Sequence, residues 1–452
     1  MRTVLNAEDK AGKFAWAVAS KTLAYAAARV GDIADDVVNI DRAMRWGFNW
    51  QAGPFESWDL QGMTDTVERM KKDNIALPAW VTEMVTRGDD SFYRRAEGKT
   101  SYYDLGKKQY LEIAVPSREM TYASIKAKPN HIVKENLGAS LVDLGDGVLG
   151  LEFHTKLNTL DADIVTMMME AVDEAEKNYQ ALVISNDGEN FSAGANLLLI
   201  YMEAQNKNWE ALRQAILAFQ TAAMRLRYSD IPVVTAPFGL TLGGGCETAM
   251  AGDAARAHLE LYMGLVEAGA GVIPAGSGCK ELLFRTLSLI PDGLDVDIEY
   301  YTRRVFETIA LAKVSTSAEE ARRLGFLRAT DAVSLNRDHL LYDSKQLALG
   351  MARAGYQRPL PRKVRVSGRA GAASMKVGVW NLVQSKKASE HDGKIATQLA
   401  HILSGGDVAP GTWVTEQDIL DLECEAFLSL CGEEKSQARM QSLLTTGKPL
   451  RN

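Results

Sequence analysis

Twice between residues 181 and 247 an unbroken apolar run ends directly in a turn built of small residues. Ala181-Leu182-Val183-Ile184-Ser185 leads to Asn190-Phe191-Ser192-Ala193-Gly194-Ala195-Asn196. Pro232-Val233-Val234-Thr235-Ala236 leads to Phe238-Gly239-Leu240-Thr241-Leu242-Gly243-Gly244-Gly245-Cys246-Glu247. Short apolar runs bounded by such residues read as strands buried on both faces. A helical period over 161–176 precedes the first run, and another over about 207–227 separates the two. This alternation packs helices on a largely parallel sheet, the α/β class. Just upstream the period is two: SLVDLGDGVLGLEF reads as two alternating strands around the hairpin turn Asp146-Gly147.

The flanks differ. Residues 1–115 carry apolar residues at helical spacing and five of the eight tryptophans (Trp16, Trp46, Trp50, Trp58, Trp80), which predicts an all-α domain with an aromatic core. Residues 116–138, within a polar stretch holding Pro116 and Pro129, read as a connector. The α/β domain is expected over 139–355, and 356–452 as a basic linker with a C-terminal helical extension. Ten basic residues and no acid lie between Ser344 and Ser389, while Glu416 to Glu434 carries seven acids and no base on an amphipathic helix (Ile419, Leu420, Leu422, Phe427, Leu428). Each run is read as a solvated face, or as the natural partner of the other.

Composition removes several function classes. A net charge of −7 argues against a nucleic-acid binder. The longest uncharged run, Ile231 to Cys246, is 16 residues broken by proline and glycine, against the roughly 20 apolar residues of a membrane span. The N-terminus lacks the apolar core of a signal peptide, so a cytoplasmic protein is expected. Four cysteines form no disulfide framework, and six histidines form no HExxH or CxxC-linked set, so no metal site is expected. Gly269-Ala270-Gly271 is followed by Val272-Ile273-Pro274, with proline where a dinucleotide fingerprint needs its third glycine, and is not read as an NAD site.

What remains is one constellation. The two small-residue turns let a backbone approach a ligand closely. Glu247 stands in the first turn of an apolar helix, and Glu267 is the only charge between Glu260 and Lys280. Carboxyls in such surroundings are candidates for tuned acid/base groups. Together they point to an oxyanion-stabilising site with paired carboxyls.

These motifs, in this order, resemble the crotonase (enoyl-CoA hydratase/isomerase) family. FSAGAN is similar to that family's FxAGAD turn, and LGGGCE to its glycine-rich turn ending in a catalytic glutamate. The 20-residue spacing of Glu247 and Glu267 matches, and STSAEEARRLGFLRATDAV is similar to its SAEEA segment. Asn196 departs from the usual aspartate, and 278–312 looks like an insertion. The resemblance implies a spiral of ββα units, with the thioester oxygen held by the amides of Ala193 and Gly244 and substrate contacts at Ala193, Gly194, Ala195, Asn196 and Gly243. It also implies Glu247 and Glu267 as catalytic residues. The implied reaction is hydration of trans-2-enoyl-CoA to 3-hydroxyacyl-CoA in fatty-acid β-oxidation. Δ3–Δ2 enoyl-CoA isomerisation and a non-catalytic acyl-CoA-binding scaffold are the alternatives. No cofactor beyond the coenzyme A thioester is implied, and the partners are acyl-CoA and further copies of the chain.

IDRAMRWGFNWQAGPFESWDLQG resembles the helical C-terminal domain of 3-hydroxyacyl-CoA dehydrogenases. With no nicotinamide-binding fingerprint in these residues, the expectation is a C-terminal part, or shortened relative, of a fused dehydrogenase–hydratase, without dehydrogenase activity of its own. The basic block around Arg362, Lys363 and Arg365 also offers charges suited to the phosphates of coenzyme A.

Overall fold

The hairpin at Asp146-Gly147 seeds the main sheet. In the computed structural model, which describes residues 2–96, 99–114, 116–291 and 293–452, β2 (Ala139–Asp143) and β3 (Val148–Phe153) pair antiparallel through a turn in which Asp146 and Gly147 both take positive φ. From β3 onward the partners are parallel: β4 (Ala181–Ser185), β5 (Val233–Thr235), β7 (Ala254–His258) and β9 (Ala332–Ser334). β1 (Ile132–Glu135) adds an antiparallel edge, giving the order β9-β7-β5-β4-β3-β2-β1. β1 lies inside the stretch expected to be a connector.

The chain divides into two compact units, Met1–Pro116 and Ser117–Asn452. In the second, α1 (Ala162–Asn178) starts at Asp161, whose side chain accepts the Ile164 N–H, and buries Ile164, Met167, Met168, Ala171, Val172 and Ala175 at helical spacing. A small parallel pair, β6 (Gly239–Leu242) and β8 (Leu261–Gly264), stands apart from the main sheet. The helices that frame the site are α2 (Leu197–Gln205), α3 (Trp209–Arg227), α4 (Gly244–Ala251), α5 (Gly278–Leu287), α6 (Glu390–Leu403), α7 (Glu416–Cys431) and α8 (Glu434–Thr446). The residues of α6 and α7 join the same apolar core as the sheet.

The first unit is helical from Arg2 to Thr86, but it is not all-α. Tyr93–Ala96, Lys99–Asp104 and Gln109–Glu112 form a three-stranded antiparallel sheet. Tyrosines at 93, 102, 103 and 110 favour strand over helix there, a short signal beside a hundred residues of helical period. Its core gathers Trp16, Phe55, Trp58 and Phe92, with Phe55 and Phe92 rings 5.0 Å apart. Trp46 and Trp50 do not join it; they are 67% and 40% exposed. Among the described residues no helix is long and apolar enough to cross a membrane.

Candidate active site

The two small-residue turns lie against one another. Ser192 donates its N–H to Leu240 and receives that of Leu242, so the first turn is stitched to β6. Gly243 sits at φ 53°, where a side chain is strained, and a Cβ there would stand 3.1 Å from Glu267 Oε1. The Ala195 nitrogen lies 3.3 Å from the point where a side chain on Gly244 would begin.

The oxyanion assignment needs one correction. The Ala193 N–H is spent on the Leu157 carbonyl at 3.1 Å and cannot serve a ligand. Its neighbours Leu160 and Asn196 are likewise paired: Leu160 N–H with the Gly194 carbonyl, and Asn196 N–H with the Leu160 carbonyl. That leaves the Ala195 N–H beside Gly244, whose own N–H opens α4; neither has an acceptor among the described residues. The pair of free donors is therefore Ala195 and Gly244. Asn196 caps α2, its side chain accepting the Leu199 N–H, so it fills a helix-start role that aspartate shares.

Glu247 is buried at the first turn of α4, and its Oε1 accepts the N–H groups of Gly276 at 2.9 Å and Gly278 at 2.7 Å. Burial pushes its carboxyl up to about 7, opposed by those two amides and by Lys280. Glu267 stands on the 3₁₀ turn Glu267–Ala270, with Oε2 sealed from solvent and without a hydrogen-bond partner among the described residues. Burial, then the neighbouring Glu247, holds it well above the usual carboxyl range. Both acids are thus raised, Glu247 to about 7 and Glu267 well above the usual range.

Both open onto a cavity of about 460 Å³. All eight residues named from the sequence line it: Ala193, Gly194, Ala195, Asn196, Gly243, Gly244, Glu247 and Glu267. The remaining wall is mostly apolar, with Val165, Leu212, Ile216, Phe219, Val272, Ile273, Phe427 and Leu443. An apolar chamber with a few convergent polar groups at one end suits an acyl chain whose polar head is the reacting part.

Sequence reasoning missed the back of the site. The segment 278–312 opens on α5, whose first residue, Gly278, supplies one of the two amides that hold Glu247, the other coming from Gly276 just before it. The acids of α7 are not all solvated: Glu416 and Glu423 are buried. Glu423 Oε1 accepts the Lys280 N–H at 2.6 Å. The signal was present, since Ile419, Glu423 and Phe427 share one helix face at intervals of four. Arg362 is committed to Glu281 and Glu416, both at 2.5 Å. Together with Lys363 and Arg365 it lines a different cavity of about 330 Å³, which shares no described residue with the first. The three basic residues are thus grouped at one cavity, apart from the one that holds the two acids. α8 grips the turn of Glu267 instead: Ser436 donates to the Gly271 carbonyl at 2.5 Å and Arg439 to that of Ala268 at 3.2 Å. Gly269-Ala270-Gly271 belongs to this acid-bearing turn and not to a strand-to-helix phosphate loop.

Residues 144–289 match the family model described as enoyl-CoA hydratase/isomerase, so the C-terminal part holds a domain of that crotonase family. The whole chain is 44% identical over 452 residues to a Bacillus subtilis protein named a probable 3-hydroxyacyl-CoA dehydrogenase, covering 56% of it. It is 28% identical over 155 residues to the human mitochondrial methylglutaconyl-CoA hydratase, covering 34% of this chain and 42% of that one. A crystal structure of an enoyl-CoA hydratase from Bacillus halodurans aligns with 68% of this chain and 99% of its own, at 19% identity and a TM-score of 0.46. The chain spans about half the length of the first of these relatives.

Proposed function

We propose that this chain, through its enoyl-CoA hydratase/isomerase domain, adds water across the double bond of a trans-2-enoyl-CoA to give the 3-hydroxyacyl-CoA, as a step of fatty-acid β-oxidation. One observation carries the reading: two buried carboxyls, both raised by burial, face one cavity beside two unspent backbone amides. The thioester oxygen rests on the Ala195 and Gly244 N–H groups, which are already oriented for the negative charge of an enolate. Loss of one such donor typically costs about 10²–10³ in rate. Glu247, ionised at and above neutrality, takes a proton from water as its oxygen attacks Cβ. Glu267, held protonated, delivers a proton to Cα. Hydroxyl and proton are added with no net electron transfer, so the proposed step calls on no redox cofactor.

The partners we propose are acyl-CoA and further copies of the chain. We assign residues 1–115 to the helical domain type of 3-hydroxyacyl-CoA dehydrogenases, on the sequence resemblance and on the name of the Bacillus subtilis relative. Dehydrogenation is not expected of these residues, because they carry no complete nicotinamide fingerprint.

The test is crotonyl-CoA hydration, followed as loss of the conjugated thioester absorbance. Turnover supports the reading. Conversion of a 3-enoyl-CoA to the conjugated isomer without hydration assigns the chain to isomerisation, and binding without either reaction assigns it to a scaffold.

A further inference from the structure

We propose that Glu423, delivered by α7 from outside the residues that match the family, is a positioning residue for Glu247, and that the two carboxyls share one negative charge at the start of α5. This rests on the reading of Glu247 as the base.

Five residues, Gly276 to Lys280, lead into α5. Their amides are divided between two acids. Gly276 and Gly278 donate to Glu247 Oε1, while Lys280 donates to Glu423 Oε1. Ser277 takes φ 119° to make this division, a left-handed conformation that costs a non-glycine residue of order 1–3 kcal/mol. Gly276 and Gly278 have no room for side chains, since a Cβ on either would stand 2.7–2.8 Å from a Glu247 oxygen. The helix start is shaped around two carboxyls rather than one.

Its amides offer the partial positive charge that suits one anion. The groups facing Glu423 are Glu247 from α4, Lys280 and the Cys279 thiol from α5, and Cys424 on its own helix. Only Lys280 is cationic, and its Nζ points to Glu281 and Glu416, at 3.1 and 3.3 Å. Glu423 Oε2 is sealed from water and has no partner among the described residues. An ionised oxygen there would be expensive. Burial and the charge of Glu247 accordingly hold Glu423 well above the usual carboxyl range. When Glu247 is neutral that repulsion disappears, so each acid sets the ease with which the other ionises.

The test uses Glu423→Gln in the full chain, which preserves shape and the acceptor for Lys280 but cannot ionise. The acidic limb of the kcat/KM profile for crotonyl-CoA hydration should move up, by about 0.3 pH unit for an equally shared charge, because a proton that either carboxyl can lose leaves more readily than one confined to Glu247. Superimposable profiles overturn the inference. A readout without turnover accompanies it: melting temperature against pH for wild type, Glu423→Gln, Glu247→Gln and the double variant. Shared charge makes the cycle non-additive. Additive shifts overturn the inference, even if wild type hydrates crotonyl-CoA. If wild type does not hydrate crotonyl-CoA, the hydratase reading fails, and the melting cycle still decides whether the charge is shared.

Discussion

A methyl group at Gly276 would stand 2.1 Å from the Phe219 ring and 2.7 Å from Glu247 Oε2. Gly276→Ala must therefore displace either the ring that walls the cavity or the carboxyl itself. Misplacement by about 1 Å can cost roughly 10²-fold, and we expect kcat for hydration to fall by about that much with the melting temperature altered far less. The carboxyls give the companion prediction. Glu247→Gln and Glu267→Gln should each lower hydration by about 10²–10⁴-fold while both variants fold, because the replacements are isosteric. Near-wild-type turnover in both would remove the paired-acid mechanism. The pH dependence has a definite sign. The base must be ionised, so kcat/KM should rise as pH passes through about 7, where burial has moved Glu247. It should fall again at higher pH as Glu267 loses the proton it must give. This residue scale was largely legible from sequence, because glycine-rich turns and isolated acids in apolar surroundings leave a direct mark. Which amide faces the ligand was not, since that depends on Gly194 at φ 105°, which turns the following peptide toward α4.

At the level of elements, buried charge decides how the C-terminal helices attach. Glu281 is fully buried; burial alone would push its carboxyl up, but Lys280, Arg362 and Arg285 outweigh that and hold it well below the usual range. Arg362 also pairs with Glu416, which accepts from the Tyr228 hydroxyl. Arg362→Ala should destabilise the second unit by about 3–5 kcal/mol, the usual cost of stranding one member of a buried pair, with little effect on affinity for free coenzyme A. Unfolding followed by denaturant, beside a coenzyme A titration, checks both halves. A carboxyl held low contributes stability at pH values above its ordinary 4.5 and loses it as the medium becomes more acidic. The gap between wild type and variant should therefore close as pH falls below about 4. Helices and strands of 139–235 follow from periodicity, whereas the inward turn of Glu416 and Glu423 does not follow from charge counts. An acidic helix looks solvated until its partners, scattered over 228–362, are brought to it by the fold.

For the molecule as a whole, each unit has its own apolar core, one around Trp58 and Phe92, the other around the seven-stranded sheet and the C-terminal helices. Calorimetry with NAD should detect no tight binding by the chain; tight binding would overturn the assignment of its glycine-rich segments to acyl-CoA chemistry alone. One feature of the second unit bears on how it is made. Lys280 is buried against Glu416, a partner 136 residues further along. At a synthesis rate of about 5–20 residues per second, an emerging chain holds that lysine with only the adjacent Glu281 as counter-charge, and without Glu416, for roughly 7–27 s. The last strand of the main sheet, β9, is made well before that interval ends, yet α7 must follow before the domain can close around its own site.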